Sequence, residues 1–315
     1  MAASIPDVAP LRAGDPRTLG AYRLDGRLGA GGQGAVFLGT APDGRRVAVK
    51  LLHAEQTEDP RARERFVREA QAAMRVARFC TAQVLDADVA GDRPYLVSEY
   101  VPGPSLSRLV AERGPVTGAA LDRLAIGTVT ALVAIHRAGI VHRDLKPGNV
   151  LVAEDGPRVI DFGIAKALDG AATTSSRIVG TPAYMAPEQL AGGPVTPAVD
   201  VFAWGSMIAY VATGRAPFGT DTIPLVVNRI VNAEPDLAGL AEPMRSLVAA
   251  CLAKDPAHRP TARRILLRLL GQEEAAPTAV PTTTPGVDGA LLARAATLAA
   301  TGLVGAVGVA GLAGA

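Results

Sequence analysis

The chain has 315 residues, of which 49% are hydrophobic and 20% are charged, a composition typical of a globular protein with a sizeable core. Lysine and arginine exceed aspartate and glutamate by only two, 32 against 30. This balance argues against a protein that binds nucleic acid mainly by neutralising phosphates. The composition therefore excludes a disordered chain and a disulfide-stapled mini-protein, and we expect no nucleic-acid partner.

The cysteines and the N-terminal residues indicate a cytoplasmic location. Cys80 and Cys251 match neither a disulfide framework nor a metal-ligand spacing, so we expect two small hydrophobic side chains in a reducing compartment. Residues 1–20 contain proline, aspartate and arginine throughout and lack the basic and apolar regions of a secretory signal peptide.

The first predicted elements are short strands. Glycines and β-branched residues over 22–49 predict three antiparallel strands, with turns at Gly26 and at 42–44. Charged and apolar residues alternate at helical spacing over 59–78, and residues 93–100 return to a strand.

Apolar runs over 119–138, 199–211 and 244–252 then predict long helices. A sheet followed by helices indicates an α+β fold of two lobes, and we expect any ligand at the seam between them.

The C-terminal part differs in composition. Residues 275–289 contain three prolines and four threonines without apolar periodicity, which predicts a linker. Residues 295–315 carry no charge and are about long enough to cross a membrane as a helix. Eight alanines and five glycines in that run leave few strongly apolar side chains, so the alternative is an Ala/Gly-rich tail.

A glycine-rich motif covers residues 29–36, Gly-Ala-Gly-Gly-Gln-Gly-Ala-Val. The glycines at its first, third and sixth positions let backbone N–H groups approach a phosphate. In a Rossmann loop the same spacing opens a helix, whereas Val36 here continues as a strand, which favours a hairpin over a nucleotide. Lys50 ends the next apolar strand and needs an acidic partner, for which Glu69 in the predicted helix is the natural candidate.

Three further motifs follow in order: His-Arg-Asp-Leu-Lys-Pro-Gly-Asn at 142–149, Asp-Phe-Gly at 161–163 and Ala-Pro-Glu at 186–188. Together with the earlier motifs they resemble the signature set of the protein kinases, specifically the eukaryotic-like serine/threonine kinases of bacteria. The resemblance covers about residues 22–270. It implies the two-lobed protein kinase fold, with an antiparallel N-lobe sheet plus one helix and a helical C-lobe.

The resemblance also implies catalytic roles. Asp144 would accept the proton of the attacking hydroxyl, and Lys146 would neutralise the γ-phosphate of ATP. Lys50 would grip the α- and β-phosphates, and Glu69 would hold Lys50 through an ion pair that marks the active state.

Two cofactors follow from the same resemblance, ATP and Mg²⁺. The implied metal ligands are Asn149 and Asp161. The residues implied in nucleotide binding lie in the glycine-rich motif, on the walls of the pocket and in the hinge between the lobes: Leu28, Gly29, Ala30, Gly31, Gly32, Gln33, Gly34, Val36, Ala48, Lys50, Glu69, Ser98, Glu99, Val101 and Leu151. Gln33 departs from the family, in which an aromatic residue or methionine is common at this place.

Ser98 occupies the place that the family fills with a larger gatekeeper residue, commonly Met, Thr, Leu or Phe. A serine leaves space behind the adenine, which predicts that bulky inhibitors are accepted. The alternative is that neighbouring side chains or water fill the gap.

Lys146 and the segment Gly-Thr-Pro-Ala-Tyr at 180–184 resemble those of serine/threonine kinases rather than tyrosine kinases. Thr173, Thr174 and Ser175 precede this segment and are candidate phosphorylation sites, because Arg143 beside the catalytic aspartate can pair with a phosphate. The resemblance thus implies activation by autophosphorylation, in trans within a homodimer, and protein substrates. The alternative is a polar loop that is never modified.

Two structural roles are implied as well. Asp200 would hold the backbone of the catalytic loop, and Glu188 with Arg259 would form a buried ion pair that locks the activation segment.

We therefore predict an N-terminal extension over 1–20, a catalytic domain over 21–271, a linker over 272–290 and a membrane helix or Ala/Gly-rich tail over 291–315. The expected activity is that of a signalling serine/threonine kinase anchored to the cytoplasmic membrane by a single pass. The alternatives are a non-catalytic scaffold with the same fold and a small-molecule phosphotransferase. The intact catalytic residues argue against the first, and the segment 180–188 argues against the second.

Overall fold

The computed structural model describes residues 8–31, 34–52, 59–77, 80–89, 93–164, 182–272 and 285–300. Its first lobe is a six-stranded antiparallel sheet in the order β1-β2-β3-β4-β6-β5. The strands are β1 (Thr18–Leu19), β2 (Tyr22–Gly31), β3 (Gly34–Thr40), β4 (Arg46–Leu52), β5 (Val84–Asp88) and β6 (Tyr95–Glu99). Helix α1 (Pro60–Ala73) packs beside β5 and begins at Asp59, whose side chain accepts a hydrogen bond from the Arg61 amide.

The predicted turn at Gly26 is not present, because β2 continues through this residue with a register shift between Leu24 and Gly26. Glycine is needed there for close approach: a Cβ would collide with Val8 and lie 2.9 Å from the Ala9 carbonyl. Ala9 and Arg27 exchange two backbone hydrogen bonds of 2.9 and 2.7 Å. Part of the predicted N-terminal extension is thus continuous with the sheet. The predicted turn at 42–44 is confirmed between β3 and β4.

The second lobe is helical, and a helix lies at each of the three predicted apolar runs, with 20 and 17 residues at the first two and only eight at the third. Its elements are α2 (Leu106–Arg113), α3 (Gly118–Arg137), the hairpin β7 (Val150–Ala153) and β8 (Gly156–Val159), α4 (Pro187–Leu190), α5 (Pro197–Thr213), α6 (Ile223–Asn232), α7 (Met244–Cys251) and α8 (Ala262–Leu269). Helices α3 and α5 form the centre of the core, where Trp204 is fully buried and donates a 2.9 Å hydrogen bond to Thr128. The predicted α+β fold of two lobes is confirmed.

Both cysteines are free and buried, as expected of small core residues. Burial raises the pKa of Cys80 to about 12, so its thiol stays protonated.

Within the described residues, α3 is the one helix long and apolar enough to cross a membrane, but 78% of its apolar window is buried in the protein. It is therefore a core helix. The predicted membrane segment begins in another helix, α9 (Pro285–Ala300), in which Ala295 and Ala299 are buried against the helical lobe. Residues 273–284 of the predicted linker and 301–315 of the predicted span lie outside the described residues.

Candidate active site

A cavity of about 360 Å³ lies between the two lobes, as predicted. The predicted nucleotide-binding residues that line it are Leu28, Gly29, Val36, Ala48, Lys50, Ser98, Glu99, Val101 and Leu151. Ala30, Gly31, Gly34 and Glu69 are described but do not line it, and Gly32 and Gln33 lie outside the described residues. Apolar walls with a few polar groups fit a planar base attached to a charged tail.

Sequence reasoning missed part of the lining. It includes Leu96 at the back, Ile160 on the floor, and Ser105, Arg108 and Gly148 at the mouth. Ile160 directly precedes a predicted metal ligand, which is a signal that could have found it. Nothing in the sequence pattern identifies Arg108, because it reaches the mouth from helix α2.

The glycine-rich motif forms the hairpin predicted from the strand after it. Gly31 lies opposite Gly34, and Gly29 lies opposite Val36 in the β2–β3 ladder. Gly34 has φ +136°, and a side chain there would collide with the backbone of Leu51, so glycine is required. The hairpin forms one edge of the cavity.

The catalytic loop brings together three of the predicted residues. The Lys146 ammonium lies 2.8 Å from Asp144 Oδ2, and Asn149 Nδ2 donates to the Asp144 carbonyl at 2.8 Å and to its Oδ2 at 3.1 Å. These contacts fix the carboxylate in one orientation. Because the amide nitrogen of Asn149 makes these hydrogen bonds, its Oδ1 atom can serve as an oxygen ligand for a metal.

The backbone of this loop is held by Asp200 from helix α5. Asp200 Oδ2 accepts hydrogen bonds from the His142 amide at 2.7 Å and contacts His136 Nε2 at 2.8 Å, while Oδ1 accepts one from the Arg143 amide at 2.8 Å. Arg143 has φ +64°, an unfavourable conformation for a residue with a side chain. The structure thus gives Asp200 the anchoring position that the resemblance implied.

His142 is fully buried below the loop and contacts the carbonyl of Ile160 through Nε2 at 3.1 Å. Burial lowers the pKa of His142, so the neutral ring is favoured, with Nε2 as the donor. Its Nδ1 then accepts from the Asp144 amide at 3.4 Å. The ring joins the catalytic loop to the residue before Asp161.

The predicted metal ligands Asn149 and Asp161 are brought together by the chain. The Ile160 amide donates to the Asn149 carbonyl at 2.9 Å, which places the following Asp161 beside the catalytic loop. Among the described residues no group of three or more His, Cys, Asp or Glu side chains could hold a metal. One carboxylate and one amide oxygen nevertheless fit Mg²⁺, which takes few protein ligands and completes its shell with waters and phosphates.

The predicted ion pair between Lys50 and Glu69 is replaced by two other contacts. The Lys50 ammonium lies 3.3 Å from Asp161 Oδ2, and Glu69 Oε1 lies 3.3 Å from Arg143 Nη2. Glu69 Oε2 is buried and accepts no hydrogen bond from a described residue. Burial raises the pKa of Glu69, although Arg143 opposes this shift. Each charged group has taken an alternative partner on the helical lobe.

The ion pair between Glu188 and Arg259 is formed as predicted. It is bidentate, with nitrogen–oxygen distances of 2.6 and 2.8 Å, and the Arg259 side chain is fully buried. Arg259 also donates to the carbonyls of Ala198, Ala253 and Lys254. It therefore ties α4 to the loop before α8.

On the other side of Asp144, the described end of the activation segment forms a shallow depression with the catalytic loop. Its lining includes Lys146, Tyr184, Met185 and Gln189, and Gln189 donates to the Arg143 carbonyl at 3.3 Å. The candidate phosphorylation sites Thr173, Thr174 and Ser175 lie outside the described residues.

Comparisons with known proteins agree with this geometry. The family model of the protein kinase domain matches residues 22–268. The probable serine/threonine-protein kinase PkwA of Thermomonospora curvata is 50% identical over 263 residues, covering 83% of this chain and 35% of PkwA. The serine/threonine-protein kinase AfsK of Streptomyces griseus is 48% identical over 253 residues, covering 80% of this chain and 31% of AfsK. The chain thus spans about a third of the length of these curated relatives.

Solved structures show the same fold. The kinase domain of Mycobacterium tuberculosis PknI aligns with a TM-score of 0.64 at 25% identity, covering 83% of this chain and 98% of that domain. Rad53 1–466 in complex with AMP-PNP aligns with a TM-score of 0.67 at 25% identity, covering 78% of this chain and 64% of that structure. Since the family model matches most of the chain and the fold agrees with it, the chain belongs to the protein kinase family.

Proposed function

We propose that the protein transfers the γ-phosphoryl group of ATP to serine or threonine hydroxyls of protein substrates. The observation that carries this proposal is the fixed arrangement of Asp144, Lys146 and Asn149 beside the cavity between the lobes. The named activity of the relatives PkwA and AfsK supports the substrate class.

In the proposed reaction Asp144 orients the acceptor hydroxyl and takes its proton. The hydroxyl oxygen then forms a bond to the γ-phosphorus, and the bond from phosphorus to the β,γ-bridging oxygen breaks, which releases ADP. Lys146, whose ammonium already lies 2.8 Å from Asp144, neutralises charge on the transferred group. Lys50 reaches the cavity from β4 and binds the phosphates that remain with ADP.

Asn149 and Asp161 would hold Mg²⁺, which when bound neutralises negative charge on the phosphate oxygens. In this structure the Asp161 carboxylate contacts Lys50. In the proposed complex the same carboxylate binds the metal.

Activation by phosphorylation of Thr173, Thr174 or Ser175 is part of the proposal. Arg143 contacts Glu69 in this structure, and a phosphate on the activation segment offers Arg143 a doubly charged partner instead. Glu69 is then released to pair with Lys50. Phosphorylation between two copies of the chain would supply that phosphate.

The kinase domain must lie in the cytoplasm, where ATP is available. Attachment to the membrane through residues 295–315 stays a prediction, and it requires Ala295 and Ala299 to leave their buried positions. Fractionation of cells expressing the chain tests it: recovery with the membranes supports the span, and recovery in the soluble fraction supports the Ala/Gly-rich tail.

A non-catalytic scaffold is the alternative of a different class. The intact set of Lys50, Asp144, Asn149 and Asp161 speaks against it, since a scaffold has no need of this set.

The test is incorporation of labelled phosphate from ATP into a generic protein substrate by the wild type and by Asp144→Asn. We expect the variant to lose activity by about 100- to 10,000-fold, the range for a removed general base, while its melting temperature stays unchanged. Asp236→Asn, which changes an exposed aspartate that lines neither the cavity nor the depression beside the catalytic loop, is the matched control. Equal activity of wild type and Asp144→Asn would refute the mechanism, and a wild type that transfers no phosphate would support the scaffold.

A further inference from the structure

Helix α9 packs against the helical lobe with one face of small and apolar residues. Leu292, Ala295 and Ala299 follow the spacing of one helix face and are 3%, 0% and 1% exposed. Thr297 is on the opposite, exposed side, and Leu298 is exposed on the flank of the buried face. The buried face contacts α3 and strand β8. A tail predicted as linker and membrane span thus contributes to the core of the lobe.

The contact is closest at Gly127 of α3. A Cβ at this position would collide with the Pro157 ring and lie 3.0 Å from the Ala299 methyl group. Glycine therefore allows three elements, α3, α9 and β8, to meet at one point. Gly156 of β8 lies under the last turn of α9, with the Ala299 carbonyl 3.3 Å from the position of its missing Cβ. Gly156 and Pro157 are both buried by this arrangement.

Strand β8 leads directly to the predicted metal ligand. Val159 pairs with Val150 in the hairpin and exchanges backbone hydrogen bonds with Cys80 and Ala82, at 2.8 and 3.0 Å. Ile160 follows, with its amide bonded to the Asn149 carbonyl. Only Arg158, Val159 and Ile160 lie between Pro157 and Asp161, and all three belong to this bonded segment or adjoin it. A shift of Pro157 is therefore transmitted along the chain to Asp161.

We propose that α9 acts as a clamp: Ala299 and Pro157 pack together at Gly127 of α3, and the hairpin held in this way keeps Asp161 where it can bind Mg²⁺. Ala299 is a positioning residue in this scheme, since it touches neither nucleotide nor metal. The inference rests on the proposed function, because the role of Asp161 as metal ligand belongs to it. The proposal makes helix α9 a part of the catalytic unit. Any change that displaces α9 from α3 then lowers the affinity for Mg²⁺.

The test uses the full chain with Ala299→Leu, which adds three carbon atoms to the buried face and expels α9. Thr297→Leu is the matched control, because it introduces the same side chain on the exposed face of the same helix. Hydrogen exchange of residues 124–131 reports whether α9 has left α3, and exchange of residues 156–161 reports the state of the hairpin. Titration with Mg²⁺ at a fixed ADP concentration, monitored through nucleotide binding, reports the affinity for the metal without any phosphoryl transfer.

In Ala299→Leu we expect faster exchange in both segments and a rise of about 3- to 10-fold in the Mg²⁺ concentration at half-saturation, because outer-shell supports of a metal ligand have effects of this order or larger. The KM for the protein substrate should stay unchanged. A variant whose whole domain is destabilised would instead change both this KM and the Mg²⁺ concentration at half-saturation. Thr297→Leu should match the wild type in every measurement.

An α9 that leaves α3 without changing the Mg²⁺ titration would overturn the clamp. Unchanged exchange at 124–131 in Ala299→Leu would overturn the packing on which the clamp depends. A wild type that binds nucleotide and Mg²⁺ but transfers no phosphate would instead refute the proposed function, so the two failures are distinguishable.

Discussion

The two sides of the active site differ in how completely they are assembled. In the helical lobe, the carboxylate of Asp144 is fixed by Lys146 and Asn149, and Asp200 holds the backbone beneath them. In the sheet lobe, Lys50 and Glu69 do not form their expected pair: Lys50 contacts Asp161, and Glu69 contacts Arg143. The groups proposed to act on the hydroxyl are thus already fixed, whereas the groups proposed to grip the phosphates do not form their expected ion pair.

The difference follows from how each side is held. The backbone of the catalytic loop is anchored within its own lobe, by the buried Asp200 side chain of helix α5. The Lys50–Glu69 pair would join β4 to α1, and its members are half-buried charges that accept any suitable partner within reach. The comparison indicates that the proposed activation needs a change of ionic partners by Lys50 and Glu69 and no rebuilding of the catalytic-loop backbone.

The largest expected effect tests the rigidity of the helical lobe. Arg259→Leu leaves the Glu188 carboxylate, which is only 12% exposed, without its cation, so we expect the free energy of unfolding to fall by about 3–5 kcal/mol. Chemical denaturation measures this change. Arg229→Leu is the control, because its ion pair with Asp221 is exposed and should matter much less. Similar losses in both variants would mean that the buried pair does not anchor the lobe.

The second prediction concerns phosphorylation of the activation segment. Replacement of Thr173, Thr174 and Ser175 by alanine should lower activity by about 10- to 100-fold, because Arg143 then keeps Glu69 and no phosphate displaces it. Mass spectrometry of wild type incubated with ATP should find phosphate on this segment. Thr222→Ala, at a threonine before α6, serves as the control. A triple variant with full activity would show that the sheet lobe assembles without phosphate.

The third prediction probes the back of the cavity. Ser98 lines it between Leu96 and Glu99, and this small side chain should admit inhibitors with a bulky group behind the base. We expect Ser98→Met to weaken a bulky inhibitor by about 10-fold, the scale of a steric change in a pocket, while a slim inhibitor binds both proteins equally. Inhibition curves for the two compounds measure this. Unchanged selectivity would mean that the space behind Ser98 is already filled.

The smallest effect is a pH dependence of the loop. The pKa of His142 is lowered by burial, so the unfolded state binds its proton first when the pH falls below about 6.5, the ordinary pKa of histidine. The neutral His142 ring therefore stabilises the folded protein above that pH, and this stabilisation is lost as the pH falls below it. His142→Phe should show a smaller drop in melting temperature between pH 7.5 and 5.5 than wild type. An identical drop would assign the pH dependence to other groups.

Local patterns were sufficient to predict the lobes and the catalytic loop. The motif at 142–149 places its functional groups within eight residues, so sequence spacing and spatial arrangement agree there. The ion pair of Lys50 was not predictable in the same way, because its partners come from separate elements and two carboxylates compete for it. The burial of Ala295 and Ala299 was missed for a related reason: an alanine-rich helix suits a membrane and a close helix–helix contact equally well, and the contact at Gly127 comes from a distant part of the chain.

The central claim is that Glu69 changes its partner from Arg143 to Lys50 when the activation segment is phosphorylated. A double-mutant cycle of Lys50→Met and Glu69→Gln, read out as ADP affinity, tests it most directly, with each protein measured before and after phosphorylation in trans by wild type. We predict additive effects before phosphorylation and a coupling of about 1 kcal/mol or more afterwards, the size found for contacting charged residues. Equal coupling in both states would contradict the account.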